Sequence, residues 1–148
     1  MKASEWLKIY PVKAKTVSGE SSLQDAAHLL LDGAEGRDLF VLDAEGVVCG
    51  HLCFWHVATL LMPELRPTSS LREMIERVTL GCVADHMSDQ VICAEADEDI
   101  DDILYQQDFF QQHVECRAEE IPVVDEQHRL LGVIRLSDLL RNAMGAGD

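Results

Sequence analysis

The chain has 148 residues, 47% of them apolar, which suits one domain or two small subdomains sharing a core and argues against disorder. Acidic residues outnumber basic ones 27 to 12, a net charge of −15 with no Lys/Arg cluster, so nucleic acid and anionic membranes are disfavoured as partners. No apolar run reaches the roughly 18 residues that span a bilayer, and Met1–Trp6 has no stretch resembling a secretion signal, so the expected compartment is the cytoplasm.

A short strand around Val17 comes first. Ser22 then fits a helix N-cap with Asp25 at the capping-box position. Leu23, Ala26, Ala27 and Leu30 recur at helical spacing, and Gly33 closes the helix. Leu39–Leu42 is an apolar run ending in Asp43; a polar turn and a second run through Gly50 to Leu52 make a β-hairpin. A helix follows from Trp55 to Met62, stopped by Pro63. Ser70 with Glu73 forms a capping box for a linker helix whose Leu71, Met74, Ile75 and Val78 share one face, ended by Gly81. A strand at Val91-Ile92 leads to a helix capped by Asp97. Its stripe starts at Ile100, Ile103 and Leu104 and continues through Gln107 to Phe110 and Val114. A second hairpin spans Ile121 to Ile134, and a helix from Ser137 to Met144 completes the pattern.

The two hairpins are copies. In each, an apolar run ends in Asp (Asp43, Asp125) and Gly (Gly50, Gly132) stands seven residues later. The offset between copies grows from 74 residues (Val17 to Val91) to 82 (Gly50 to Gly132), which places an insertion of eight in the helix–loop region. The unit is β-α-β-β-α, an α/β (α+β) fold present twice. The expected division is 1–66 for the first repeat with its N-terminal segment, 67–81 for a linker helix belonging to the module, and 82–148 for the second repeat.

Val83-Ala84-Asp85-His86-Met87-Ser88, Val91-Ile92, Ile121-Pro122-Val123-Val124-Asp125 and Gly132-Val133-Ile134-Arg135-Leu136-Ser137-Asp138-Leu139-Leu140 follow one another in an order that resembles a CBS (cystathionine β-synthase-type) domain. With the first copy, the chain resembles a tandem CBS pair, or Bateman module. The resemblance implies two repeats packed through their sheets with pseudo-two-fold symmetry. It also implies a cleft for an adenine nucleotide or S-adenosylmethionine, a disc-shaped homodimer, and regulation or energy sensing exerted on an effector protein that the chain does not identify. No cofactor is required. The other reading is a ligand-independent dimerisation or scaffold module with degenerate sites.

By that resemblance, a Gly-apolar-apolar-Thr/Ser-x-x-Asp motif sets a hydroxyl near phosphate and a carboxylate on the ribose diol. A carboxylate accepts both diol hydrogens, and a helix N-terminus offers free N–H groups to phosphate. In the second repeat Gly132 and Asp138 match, Arg135 replaces the hydroxyl, and Ser137 offers one two residues later. Arg135 fits either a phosphate contact or a surface residue, and Asp138 fits ribose binding or simple complementation of the helix dipole. Val91, Ile92, Ile121 and Pro122, with Ser88 nearby, match the adenine wall; each also fits an ordinary core position. In the first repeat Cys53 and His56 stand at the hydroxyl and carboxylate positions. A neutral imidazole cannot accept both ribose hydroxyls, so this half-site is expected to be degenerate, with Phe54 and Trp55 partly filling it.

Other chemistry is weaker. Cys49, His51 and Cys53 alternate along a strand with His56 a turn further on, which suggests zinc, but the spacing matches no standard knuckle and buried-strand parity explains it as well. The acidic run Glu95 to Asp102 lacks the Gly and Glu of a calcium loop and reads as an acidic first helical turn; no metal is expected. The five cysteines read as reduced thiols, most of them buried. No phosphate loop, nucleophile elbow or His-Glu-x-x-His motif appears, so no enzyme activity is expected.

Overall fold

A computed structural model of the chain describes residues 1–32, 37–61, 70–72, 81–105 and 118–145. In the first half, β1 (Thr16–Ser18), α2 (Leu23–Leu31), β2 (Asp38–Leu42), β3 (Val48–Cys53) and α3 (Phe54–Leu61) follow a short helix, α1 (Ala3–Ile9). In the second, α4 (Val83–His86) precedes β4 (Ala94–Glu95), α5 (Ile100–Leu104), β5 (Glu120–Val124), β6 (Leu130–Arg135) and α6 (Leu136–Ala143). The strands form two three-stranded sheets, ordered β1-β2-β3 and β4-β5-β6. In each, the first pair is parallel around a crossover helix and the second is an antiparallel hairpin. The expected α+β fold, with its unit present twice, is what forms.

Corresponding residues explain why both halves fold alike. Asp43 Oδ1 accepts the N–H groups of Glu45 (2.8 Å) and Val47 (3.0 Å), and Asp125 Oδ1 accepts those of Gln127 and Arg129 (both 2.9 Å). Each aspartate therefore closes its own hairpin turn, which is why the apolar runs end in Asp. The turns complete themselves in the left-handed region, at Gly46 (φ 85°) and His128 (φ 64°). The tips then pair with one another: Val48 N–H donates to the His128 carbonyl and Leu130 N–H to the Gly46 carbonyl, both at 3.1 Å. These two bonds are mates about a pseudo-two-fold axis.

Each sheet has a helix-covered face and an inner face. On the first sheet Leu39, Val41 and Leu52 point to α2 and α3 and join Ala26, Leu30 and Val57 in one core. On the second, Ile121, Val123 and Ile134 join Ile103 and Leu139. The inner faces carry the alternate residues, such as Phe40 and Val133, and these too are fully buried. A strand buried on both sides needs a continuous apolar run, as both hairpins have.

The short helices are exchanged. Ala3 and Trp6 of α1 fill the core of the second half, held by Ala3 N–H to the Glu98 carbonyl (2.8 Å) and Ser4 N–H to that of Ala96 (2.9 Å). Reciprocally, Val83 of α4 fills the first core, held by Val83 N–H to the Ser21 carbonyl (2.8 Å) and Ala84 N–H to that of Gly19 (2.9 Å). Neither core is complete without a helix from outside its own strand–helix–hairpin unit. The repeated glycines follow from this exchange: a Cβ on Gly50 would collide with the Met87 side chain, and one on Gly132 would meet Leu7 Cδ2 at 3.1 Å.

Several expectations change in detail. Val17 pairs with Val41 and Ala94 with Val123, so Ala94 rather than Val91 is the counterpart of Val17; the offset there is 77 residues and the insertion five. The cap of α5 is Asp99, whose side chain accepts the Asp101 N–H, not Asp97; Ser22 caps α2 as expected, accepting the Asp25 N–H at 3.0 Å. Of the cysteines, Cys53 is buried while Cys49, Cys82 and Cys93 are half-buried, and all four stand outside any disulfide. Gly33, Pro63, most of the linker helix, the extension of α5 through Gln107, Phe110 and Val114, and Cys116 lie outside the described residues. Among the described residues no helix is long and apolar enough to cross a membrane.

Candidate functional site

The N-terminus of α6 opens onto a cleft of about 500 Å³. Arg135, Ser137 and Asp138 line it from the second half, together with Leu136, Leu140 and Arg141. Glu119 and Glu120, at the start of β5, form another wall, and Arg37, just before β2, reaches in from the first half. The cleft is thus bounded by both repeats.

Local structure explains the placement. Leu136 N–H donates to the Glu119 carbonyl at 3.0 Å, as Phe54 N–H does to the Arg37 carbonyl at 2.8 Å in the first repeat. This bond turns β6 into α6 directly and sets Asp138 in the first helical turn, where a carboxylate is favoured by the helix dipole. The Asp138 side chain is 15% exposed and accepts a hydrogen bond from Arg141 Nη1 at 3.0 Å. A carboxylate has about four acceptor sites, so that bond leaves room for a diol. Three guanidinium groups (Arg37, Arg135, Arg141) and three carboxyl groups (Glu119, Glu120, Asp138) line the cleft, so it offers both donors and acceptors to a ligand.

Among the residues that sequence analysis singles out, Arg135, Ser137 and Asp138 come together here. The others lie elsewhere. Gly132 faces Leu7 and lines a separate hollow of about 350 Å³ with Pro11, Val12 and Lys13. Ile121 is buried in the helix-side core, and Pro122 is buried in the strand. Ser88 exchanges two backbone hydrogen bonds with His51 of β3, both 2.9 Å, and so sits against the first sheet; Val91 and Ile92 are half-buried before β4.

Arg37, Glu119, Glu120 and Arg141 also line the cleft, and no motif marks them in the sequence. For Glu120 a signal existed: it precedes Ile121 as Asp38 precedes Leu39, so an acid stands at the same buried hairpin position twice. Both are buried in fact, but differently. Asp38 Oδ1 lies 2.7 Å from His51 Nε2, while its Oδ2 accepts the N–H groups of Glu119 (2.8 Å) and Glu120 (2.9 Å) across the repeat boundary. Glu120, opposite Arg135 on β6, is 5% exposed, and its carboxyl has no hydrogen-bond partner among the described residues. Burial, and secondarily the nearby Asp38 carboxylate, push that carboxyl up to about 7.

The first-repeat counterpart is built otherwise. Cys53 is buried, its thiol pushed up by burial, and its sulfur accepts the His56 N–H at 3.4 Å, capping α3. Phe54 lies under the Arg37 guanidinium, 5.5 Å from its ring centroid. Trp55, expected to help fill this half-site, is instead 68% exposed, because the first turn of α3 points it outward. The side-by-side alignment of Cys49, His51 and Cys53 does not occur either. A β-bulge between Val48 and Gly50 takes Cys49 out of register, so its thiol donates to the Val41 carbonyl at 3.3 Å while His51 turns to Asp38. Among the described residues no three His, Cys, Asp or Glu side chains form a metal-binding group.

A profile of the CBS domain matches residues 83–145. No curated protein matches the amino-acid sequence. Among solved structures, the CBS-pair protein CBSX2 from Arabidopsis thaliana is similar over 99% of this chain and 96% of its own, with TM-score 0.72 and 17% identity. Its complex with AMP gives TM-score 0.70 at 17% identity, covering 99% and 98%. The CBS domain pair of protein MJ0100, solved with 5′-methylthioadenosine and S-adenosyl-L-methionine, gives TM-score 0.69 at 20% identity, again covering 99% and 98%. The second half of the chain is therefore a CBS domain, and the chain as a whole has the fold of a tandem CBS pair.

Proposed function

We propose that this protein is a non-catalytic regulatory module. It binds an adenosyl ligand (AMP, ADP, ATP or S-adenosylmethionine) in the cleft at α6 and signals through a shift in repeat or dimer arrangement. The observation that carries this reading is the cleft itself, in which Asp138 and three arginines from both repeats face one space. Asp138 accepts the ribose hydroxyls, while Arg37 and Arg135 supply charged donors for phosphate. Fold relatives solved with AMP and with adenosyl compounds support the ligand class. Because Arg37 belongs to one repeat and Asp138 to the other, a ligand touching both favours one relative arrangement of the repeats, which is the differential affinity a regulatory shift needs.

Titration calorimetry and thermal denaturation with AMP, ADP, ATP and S-adenosylmethionine test the reading. At least one ligand should raise Tm by several degrees at millimolar concentration, and Asp138→Ala should weaken its binding roughly tenfold or more. Denaturation unmoved by all four would overturn the reading and leave a ligand-independent dimerisation module.

A further inference from the structure

We propose that Asp38 is a positioning residue of the cleft. From the first repeat, and without lining the cleft itself, it sets the wall formed by Glu119 and Glu120, with His51 as its brace. The inference rests on the ligand-binding reading above and goes beyond it by assigning the contact that couples cleft occupancy to the arrangement of the repeats.

Asp38 and His51 are 1% and 2% exposed, and neither is among the residues lining the cleft. His51 Nε2 lies 2.7 Å from Asp38 Oδ1, and the His51 ring packs on Phe40 with 5.3 Å between centroids. The His51 backbone is in turn paired twice with Ser88, in the segment that leads from α4 to β4. A carboxylate braced in this way presents its other oxygen in a fixed direction. That oxygen, Oδ2, accepts the N–H groups of Glu119 (2.8 Å) and Glu120 (2.9 Å), so both bonds cross from one repeat to the other.

Each wall of the cleft is a short chain of links from this carboxylate. Glu119 is fixed at both ends: its N–H donates to Asp38, and its carbonyl accepts the Leu136 N–H at 3.0 Å. It thereby carries the position of Asp38 to the first turn of α6, where Ser137 and Asp138 stand. Arg37 is the chain neighbour of Asp38, and its carbonyl accepts the Phe54 N–H at 2.8 Å. A ligand held between Arg37 and Asp138 therefore bears on both sides of the Asp38 contact. The brace exists once. In the second repeat Glu120 and Val133 occupy the positions of Asp38 and His51, and valine has no ring nitrogen to hold a carboxyl. Losing a support of this kind misplaces the binding groups while the molecule stays folded, and binding weakens. The coupling is also reciprocal: what the contact adds to ligand affinity, the ligand adds to the stability of the contact.

AMP titrated calorimetrically into wild type, Asp38→Ala, Asp38→Asn and Ser22→Ala tests this, at a temperature where circular dichroism shows each folded. Asp38→Ala should bind AMP about tenfold more weakly than wild type. Asp38→Asn should recover most of that loss. Its amide oxygen accepts the two N–H groups and its amide nitrogen donates to His51, whose ring changes tautomer to accept. Ser22→Ala, which removes the cap of α2 and lowers Tm, should bind as wild type does. In wild type the His51 imidazole resonance should shift on saturation with AMP, while those of His28 on α2 and His128 at the hairpin tip stay in place. An Asp38→Ala variant that binds as tightly as wild type overturns the role of Asp38 and leaves the ligand class standing; where that variant does not fold, an unmoved His51 resonance does the same. An equal loss in Ser22→Ala also overturns it, since affinity would then only follow stability. Absence of AMP binding by wild type overturns the role together with AMP as the ligand.

Discussion

Asp38 and Glu120 occupy the same position of the same hairpin, each opening the central strand of its sheet and each buried. One is closed and the other open. Asp38 spends both oxygens inside the protein, one on His51 and one on the backbone at the start of β5, and thereby fastens one repeat to the other. Among the described residues nothing bonds the carboxyl of Glu120, which lines the cleft. The helix starts show the same contrast. In the first repeat Cys53 caps α3 with its own sulfur, while in the second no side chain caps α6 and Arg135, Ser137 and Asp138 line open space. The two repeats thus use matching positions differently: in the first they hold the repeats together, and in the second they line the cleft.

The largest effect should come from breaking the closed half. Asp38→Ala strands His51, 2% exposed, and two backbone N–H groups, so it should cost about 3 kcal/mol or more. A fall in Tm of about 10 °C should be measured, where Glu120→Ala at pH 8 should cost little or nothing. Equal losses for the two variants would break the comparison.

A second contrast concerns the glycines. Gly50→Ala presses on the near part of the Met87 side chain, with Cγ at 2.9 Å and Cβ at 3.2 Å, whereas Gly132→Ala meets only the far end of Leu7. The first should destabilise by roughly 1–3 kcal/mol and the second by under about 1 kcal/mol. Urea midpoints of the two variants check the order.

The smallest effect sharpens the reading of Glu120. A carboxyl whose folded-state pKa is raised gives stability that is complete below its unfolded value of 4.5 and lost as pH climbs through about 7. Glu120→Gln should therefore match wild type near pH 4.5 and exceed it above pH 7, by roughly 1–2 kcal/mol after screening by cleft solvent. Chemical denaturation at pH 5 and pH 8 should show wild type losing ground to the variant; parallel curves would mean that Glu120 is not held up by burial.

Much of this molecule was legible in the amino-acid order, for reasons that were local. An Asp at the end of an apolar run closes a turn with its own side chain, so both hairpins could be placed, and Ser22 caps α2 through a neighbour three residues away. The cap of α5 was not legible, since Asp97 and Asp99 are chemically alike. The choice falls on Asp99 because Met1, Lys2 and Ala3 of the distant N-terminus pair with residues 98–100. Parity placed Cys49 beside His51, but one extra residue in a bulge, which side-chain pattern does not reveal, separated them.

The candidate site divides the same way. Asp138 and Ser137 could be found because motif and helix start lie within a few residues of each other. Arg37 is about a hundred residues from Asp138 and enters the cleft only when the sheets face each other. By itself the sequence determined the unit, its duplication and its buried strands, since periodicity, turns and caps act over a few residues. Tertiary structure alone decided the exchange of α1 and α4, the closing of Asp38 and the opening of Glu120, because each depends on which surface a segment meets after the chain has returned from far away.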